Sequence, residues 1–236
     1  MAGFVDLHCH WVSGIDDGAR TPELGLMMLS RLKQAGFEVV MATPHMRPGL
    51  FDNDKRALER AYAAMLPHLE QSSKPLPRVH LASEHFFDDV VYRRILQGEG
   101  LAYPGGRAVL VEFGTHWPLQ VEHRLADVER AGFTPVLAHP ERYGAVWKDP
   151  QCLEPLLDLG VHLLLDVAAL IGKYGRTVQH VAERLLADDL YEAACSDAHR
   201  PEDVDDVVIA LGRLGAKEAN RLLAEGPRVI LGEGPI

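Results

Sequence analysis

Acids and imidazoles stand at the end of nearly every strand-sized apolar run in this chain, and few folds can use such a pattern. The chain opens with Asp6-Leu7-His8-Cys9-His10, and Ser196-Asp197-Ala198-His199 follows its last such run. His45, Glu84, Glu112 and His139 each close a short apolar run between them. Alternate side chains of an extended strand share a face. Asp6, His8 and His10 are therefore expected on one face, with Val5, Leu7 and Cys9 on the other. A polar, metal-competent face at the first strand is a poor start for a core and a good start for a metal site.

The runs alternate with helical patterns. Strands are expected at Phe4–Cys9, Phe37–Thr43, Arg78–Ser83, Arg107–Phe113, Thr134–Ala138, Val161–Val167 and Leu190–Cys195. Helices are expected at Thr21–Ala35, with Thr21 as N-cap, Pro22 in the first turn and Gly36 as the stop. Others are expected at Asp54–Gln71, interrupted or kinked by Pro67, and at Asp88–Gln97, Leu119–Ala131, Pro150–Leu159 and Tyr174–Ala187, with a helical tail after Pro201. Strands separated by helices imply a parallel sheet with crossover connections. No low-complexity linker divides the chain, so one domain over residues 1–236 is expected. A closed or partly closed barrel accommodates ligand-type residues at so many strand ends, because barrel sites gather at the C-terminal strand ends. An open doubly wound sheet would concentrate its site at one switch point, and no GxGxxG follows the first strand.

Composition narrows the function. The chain has 236 residues, 47% hydrophobic, with 34 acidic and 24 basic residues and a net charge of -10. Such a chain does not build the broad basic surface of a non-specific nucleic-acid binder. Three cysteines, Cys9, Cys152 and Cys195, are too few and too odd in number for a disulfide scaffold. No signal-peptide pattern and no apolar run near the ~20 residues of a membrane span is visible. A cytoplasmic protein without membrane insertion is expected.

Nine residues are candidate metal ligands: His8, His10, Asp17, His45, Glu84, Glu112, His139, Asp197 and His199. Imidazole with carboxylate suits manganese, iron or zinc. Nine donors exceed the need of one ion and suit two or three, with Glu84 and Glu112 as bridges. Alone, each residue has a plainer reading: a satisfied core histidine, an Asp-Asp-Gly turn at Asp16-Asp17-Gly18, a solvated strand-end acid. The joint placement at strand ends argues for the ligand role. His68, His80, His123, His162 and His180 lack that placement and are read as structural or surface residues, and so is His116, although it follows Glu112 closely.

These motifs, with Thr43-Pro44-His45, Ser83-Glu84, Val111-Glu112-Phe113 and His139-Pro140-Glu141-Arg142, resemble the polymerase and histidinol phosphatase (PHP) superfamily. Gly14-Ile15-Asp16-Asp17-Gly18-Ala19 and Leu170-Ile171-Gly172-Lys173-Tyr174-Gly175 carry a narrower likeness. They resemble the manganese-dependent bacterial protein-tyrosine phosphatases of capsular and exopolysaccharide synthesis. The resemblance implies a distorted (β/α)7 TIM-like barrel, an α/β fold with a trinuclear site at the C-terminal strand ends. It implies one ion on His8, His10, Glu112 and Asp197, a second on Glu84, Glu112 and His139, and a third on Asp17, His45 and His199. It implies in-line attack on phosphorus by a metal-bridging hydroxide, with Arg142 clamping the phosphate. Related chains carry a second arginine a few residues beyond the final Asp-x-His. Here Arg200-Pro201 follows His199 at once, so Arg200 is the replacement candidate and Arg47 a third substrate-binding candidate. Asp17 or His199 would assist the leaving phenolate if an acid is needed. The implied partner is a phosphotyrosine protein, the tail of a bacterial tyrosine kinase. Among aromatic residues near strand ends, Trp11, Phe51, Phe86, Tyr143 and Trp147 are candidates to flank the ring, most of them reading as loop packing.

Other chemistries fit less well. A cysteine phosphatase needs five residues between thiolate and arginine, and Cys195 stands one position too close to Arg200. A metal amidohydrolase would carry a bridging lysine where Glu84 and Glu112 stand. A histidinol-phosphate phosphatase or a nuclease would share the metals. A non-enzymatic appendage of this superfamily would often have lost its ligands, and all nine positions are filled here.

Overall fold

The computed structural model describes residues 3–114, 117 and 119–232. His116 lies outside the described residues. In chain order the strands are β1 (Phe4–Cys9), β2 (Phe37–Ala42), β3 (His45–Met46), β4 (Arg78–Leu81), β5 (Glu84–Phe86), β6 (Ala108–Glu112), β7 (Thr134–Ala138), β8 (His162–Asp166) and β9 (Ala193–Cys195). The α-helices are α1 (Pro22–Gln34), α2 (Lys55–Glu70), α3 (Asp89–Leu96), α4 (Val121–Arg130), α5 (Gly144–Lys148), α6 (Glu154–Asp158), α7 (Arg176–Ala187), α8 (Asp203–Asn220) and α9 (Gly226–Leu231). The strands form two sheets, in the orders β1-β2-β4 and β3-β5-β6-β7-β8-β9. Every pairing between these strands is parallel. After β9 the chain returns to β1, where Asp197 N–H donates to His8 O and His10 N–H donates to Ala198 O, both at 2.9 Å.

Two strands are additional to the seven expected. β3 and β5 are short continuations of β2 and β4, each set off by a break whose cause is local. Pro44 has no N–H for a ladder, and its carbonyl instead accepts from Ser83 Oγ at 2.9 Å and Glu84 N at 3.3 Å. The break shifts the strand pair into the second sheet, so His45 pairs with Glu84 and Glu84 with Leu110. His45 and Glu84 thus lie on a separate run of ladder from the apolar strands that lead to them.

Both sheet faces are covered, as parallel sheets require. Val39, Met41, Ala108, Leu110, Val136, Ala138 and Leu164 fill one buried cluster with Val5, Leu7, Ile230 and Leu231. Their neighbours Val40, Ala42, Val109, Val111, Leu137, Leu163 and Leu165 pack in the other cluster, with α1 residues Met28, Leu29 and Leu32. The period of two predicts this except at the start of β2, where Phe37 and Val39 fall in different clusters, and in β1. There Cys9 packs in the second cluster and not with Val5 and Leu7, because the β1–β2 register shifts between Asp6 and Cys9.

Helix ends follow their capping chemistry. Thr21 Oγ1 accepts from Leu24 N, and Asp54 and Asp88 cap α2 and α3 in the same way. Pro67 does not end α2. It sits in the last turn of a helix that runs to Glu70. The helix expected over Pro150–Leu159 is a 3-10 turn, Pro150–Leu153, followed by α6. No described helix is long and apolar enough to cross a membrane.

Candidate metal centre

The nine expected ligands come together. Their donor atoms fall into four overlapping groups, and within each the atoms lie within 4.8 Å of one another. The groups are His10, Asp17, His45 and His199; His8, His10 and Glu84; His8, His139 and Asp197; and His45, Glu84 and Glu112. Glu84 is the hub. Its Oε2 lies 2.8 Å from His45 Nδ1 and 3.6 Å from His10 Nε2, and its Oε1 lies 3.0 Å from His139 Nε2 and 3.5 Å from His8 Nε2. Glu112 groups with His45 at 3.5 Å rather than with His8 and Asp197. His8 Nε2 lies 2.8 Å from Asp197 Oδ1. Asp17, 56% exposed, reaches both His45 and His199 from the rim.

The donors are held by a second ring of contacts. Thr43 Oγ1 lies 3.0 Å from His8 Nδ1, Asp16 Oδ2 lies 2.8 Å from His10 Nδ1, and the Asp197 carbonyl lies 2.9 Å from His199 Nδ1. Each contact occupies Nδ1 and leaves Nε2 for the centre. Asp16 also accepts from Gly18 N and His45 N, so one carboxylate orients a histidine and the loop that carries Asp17. Gly18 is required there, because an added Cβ would stand 2.1 Å from His10 O. Thr43 and Asp16 are the functional residues that the sequence reading passed over. Asp16 reads as the first half of a turn, and its contact reaches back to His10, just past the end of β1. Two of the expected ligands sit in strained backbone: His139 at φ 36° and Asp197 at φ 45°. Non-glycine residues rarely hold that conformation without surrounding support.

The donor set fits metal ions. His45 Nδ1, Glu112 Oε1 and Asp197 Oδ1 are buried, and their contacts to neighbouring acids and bases are ion-pair contacts without hydrogen-bond alignment among the described residues. Such atoms are costly unless something satisfies them. The metal-free electrostatics agree. Burial opposes a charge on His10, but Asp16 outweighs it and raises the imidazole to about 10. Burial opposes a charge on His45 too, and Glu84 and Asp17 raise it to about 11. Burial and then Glu84 raise Glu112 to about 7. Burial, helped by Arg142, lowers His139 to about 4.

Two predictions arise here. Metal uptake near pH 7 must displace protons from His10 and His45, so it is expected to release protons, read by calorimetry in two buffers of different ionisation enthalpy. Proton-neutral uptake would contradict the centre. Both folded values lie above the ordinary histidine value, so in metal-free protein the stabilisation is full below about 6.5 and lost as pH rises through 10–11. Thermal melts against pH, with and without chelator, read this directly. Second, Asp16→Ala is expected to weaken metal affinity about 10–100-fold, the usual cost of losing a ligand-orienting group. Equilibrium dialysis measures it, and unchanged affinity would remove Asp16 from that role.

The three candidate substrate arginines do not share one cavity. Arg47 and Arg142 line a cavity of about 380 Å³ with Glu112, Phe113, Gly114, His139, Tyr143, Gly144 and Trp147. Arg200 lines another of about 280 Å³, beside Arg20, Gly18 and His199. Arg142 Nη1 donates to Asp197 Oδ2 at 2.6 Å and lies 3.8 Å from the buried Asp166. Its guanidinium carbon stands 4.7 Å from the Tyr174 ring centre. Cys9 and Cys195 are buried and hydrogen-bonded to carbonyls, and burial raises both thiols well above their usual range, so neither supplies a thiolate. His68, His123 and His180 are exposed and His80 and His162 half-buried, all apart from the four groups.

Together these features define an α/β protein with parallel sheets and a cluster of imidazoles and carboxylates where the strands end. Residues 4–231 match the family model for capsular polysaccharide synthesis, CpsB/CapC, and the chain belongs to that family. It is 28% identical to the tyrosine-protein phosphatase YwqE of Bacillus subtilis over 83% of this chain and 77% of that one. It is 24% identical to the tyrosine-protein phosphatase CpsB of Streptococcus pneumoniae over 96% and 98%. A solved structure from work on YwqE and CpsB, described as unique metal-dependent tyrosine phosphatases, superposes with a TM-score of 0.86 at 25% identity, covering 98% of this chain and 96% of that one. The phosphotriesterase homology protein of Escherichia coli shares the fold alone, with a TM-score of 0.60 at 11% identity over 97% and 98%.

Proposed function

We propose that this chain is a metal-dependent protein-tyrosine phosphatase acting on a phosphotyrosine protein, the tail of a bacterial tyrosine kinase in polysaccharide synthesis or export. The observation that carries the reading is the set of nine donors gathered beside a cavity that holds Arg47 and Arg142. The activity named for YwqE and CpsB supports it. In this reading residues 1–236 form one domain, a distorted barrel of seven strands, with β3 counted as part of β2 and β5 as part of β4. A cytoplasmic location accords with three free cysteines.

His8, His10, Asp17, His45, Glu84, Glu112, His139, Asp197 and His199 would hold two to three ions, manganese before iron or zinc. When bound, the ions make water nucleophilic near neutral pH and neutralise charge on the phosphoryl group. The chain does the rest. Glu84 and Glu112 would be shared between neighbouring ions. Arg142 and Arg47 bind phosphate oxygens, the guanidinium fork matching their geometry. Arg200 and His199 border a second cavity, beside Gly18 and Arg20.

Phosphate release by manganese-loaded protein tests this, with a phosphotyrosine peptide against histidinol phosphate and a chelated control. Chelator-sensitive preference for the peptide is the expected result. Preference for histidinol phosphate would keep the centre and overturn the substrate.

A further inference from the structure

The metal centre acts on phosphorus and is blind to the group that leaves, so selection among phosphate esters must come from the cavity walls. The cavity that holds Arg47 and Arg142 is lined by two chemically different sets of residues. One presents Glu112, His139 and the two arginines. The other presents Phe113, Tyr143, Gly144 and Trp147.

The aromatic part is built, and is more than incidental loop packing. The Tyr143 hydroxyl donates to Ala138 O at 2.9 Å and accepts from Phe113 N at 3.1 Å. Its polar group is therefore occupied, and the ring offers carbon only. Trp147 Nε1–H donates to Glu141 O at 2.7 Å. That bond ties its ring to the His139–Arg142 segment, which carries both a metal-site histidine and the phosphate-binding arginine. Trp147 nevertheless remains 44% exposed, a large aromatic surface without full cover. Gly144 lies between them at the start of α5, and an added Cβ there would meet nothing within 4 Å. The space above it is open. A cavity of about 150 Å³ can hold benzene, and this one is about 380 Å³.

The other aromatic candidates are spent elsewhere. Trp11 is fully buried, Phe51 stacks on His45 with ring centres 5.3 Å apart, and Phe86 lies 4.3 Å beneath the Arg47 guanidinium.

We propose that Tyr143, Gly144 and Trp147 form a slot for an uncharged aromatic leaving group, and that this slot is what makes the centre prefer aryl over alkyl phosphate monoesters. The inference rests on the phosphatase reading and assigns the residues that set its specificity. A flat ring ester-linked to phosphate spans both parts of the cavity. An alkyl ester leaves the aromatic part unfilled, and an amino-bearing alkyl ester brings a cation toward Arg47 and Arg142.

The test is binding, so that it does not depend on turnover. Manganese-loaded wild type, Trp147→Ala, Trp147→Phe and Gly144→Leu are titrated calorimetrically with phenylphosphonate and with methylphosphonate, and the metal content of each is measured. Wild type is expected to prefer phenylphosphonate by about tenfold, an aromatic contact plus its buried area. That preference should fall to near unity in Trp147→Ala and Gly144→Leu. It should survive in Trp147→Phe, which keeps a ring and loses the bond to Glu141. Equal affinities in wild type, an unchanged preference in both Trp147→Ala and Gly144→Leu, or a parallel loss of both phosphonates would overturn the slot. Failure of the phosphatase reading shows separately, as absence of phosphate release from a phosphotyrosine peptide by wild type.

Discussion

Glu84→Gln is expected to abolish turnover and to lower bound metal by at least one ion per chain. Glu84 is fully buried and, among the described residues, is the one side chain within 3.6 Å of four of the centre's histidines, His8, His10, His45 and His139. It belongs to two of the four donor groups. Glutamine keeps its volume, so packing is preserved, but one anionic oxygen becomes an amide that cannot ligate. Losing a single transition-state contact costs about 10²–10³-fold in rate, and losing an ion removes several, so a loss of about 10³-fold or more is expected. Elemental analysis beside a phosphate-release assay measures both quantities. Full metal content with full activity would take Glu84 out of the centre.

Arg142→Ala is expected to weaken phosphate binding by about 10²-fold while leaving the metals in place, in line with the ~1.5–3 kcal/mol of a charge-assisted hydrogen bond. The structure adds a second consequence. Arg142 also faces Asp197 and the fully buried Asp166, whose carboxyl is raised to about 7 by burial and then by Asp197. Removing the guanidinium leaves Asp166 without its cation. Breaking a buried pair costs ~3–5 kcal/mol. Arg142 is 34% exposed, so water takes up part of that, and ~1–2 kcal/mol is the expected loss of stability. Adding Asp166→Asn should restore the stability and not the phosphate affinity. Denaturant melts and phosphate inhibition separate the two roles. If Arg142→Ala instead strips the metals, its part is to hold Asp197 and not to bind substrate.

The alternation of apolar runs with helical patterns was enough to place a parallel α/β fold, because the period of two and the period of 3.6 are written locally. Its errors were local too. The shifted register after Asp6 moved Cys9 to the other cluster. The breaks at Pro44 and Ala82–Ser83 made two short strands of what reads as strand ends. Neither depends on hydrophobic pattern. Both depend on which backbone groups across the sheet remain available for pairing.

That these nine residues gather was legible from the chain alone, since all but Asp17, in its Asp-Asp-Gly turn, carry metal-competent chemistry at or just beyond the end of an apolar run. Parallel strands deliver their ends to the same side whatever their exact stagger. What the sequence could not contain is how the donors divide. That Glu84 is the hub, that Glu112 sits with His45, that Asp16 holds His10, and that Arg142 and Arg200 line different cavities are distances between segments far apart in the chain. Periodicity sets the direction of a side chain along its own strand, whereas the spacing between strands is set by register, breaks and helix packing, which only the folded chain decides.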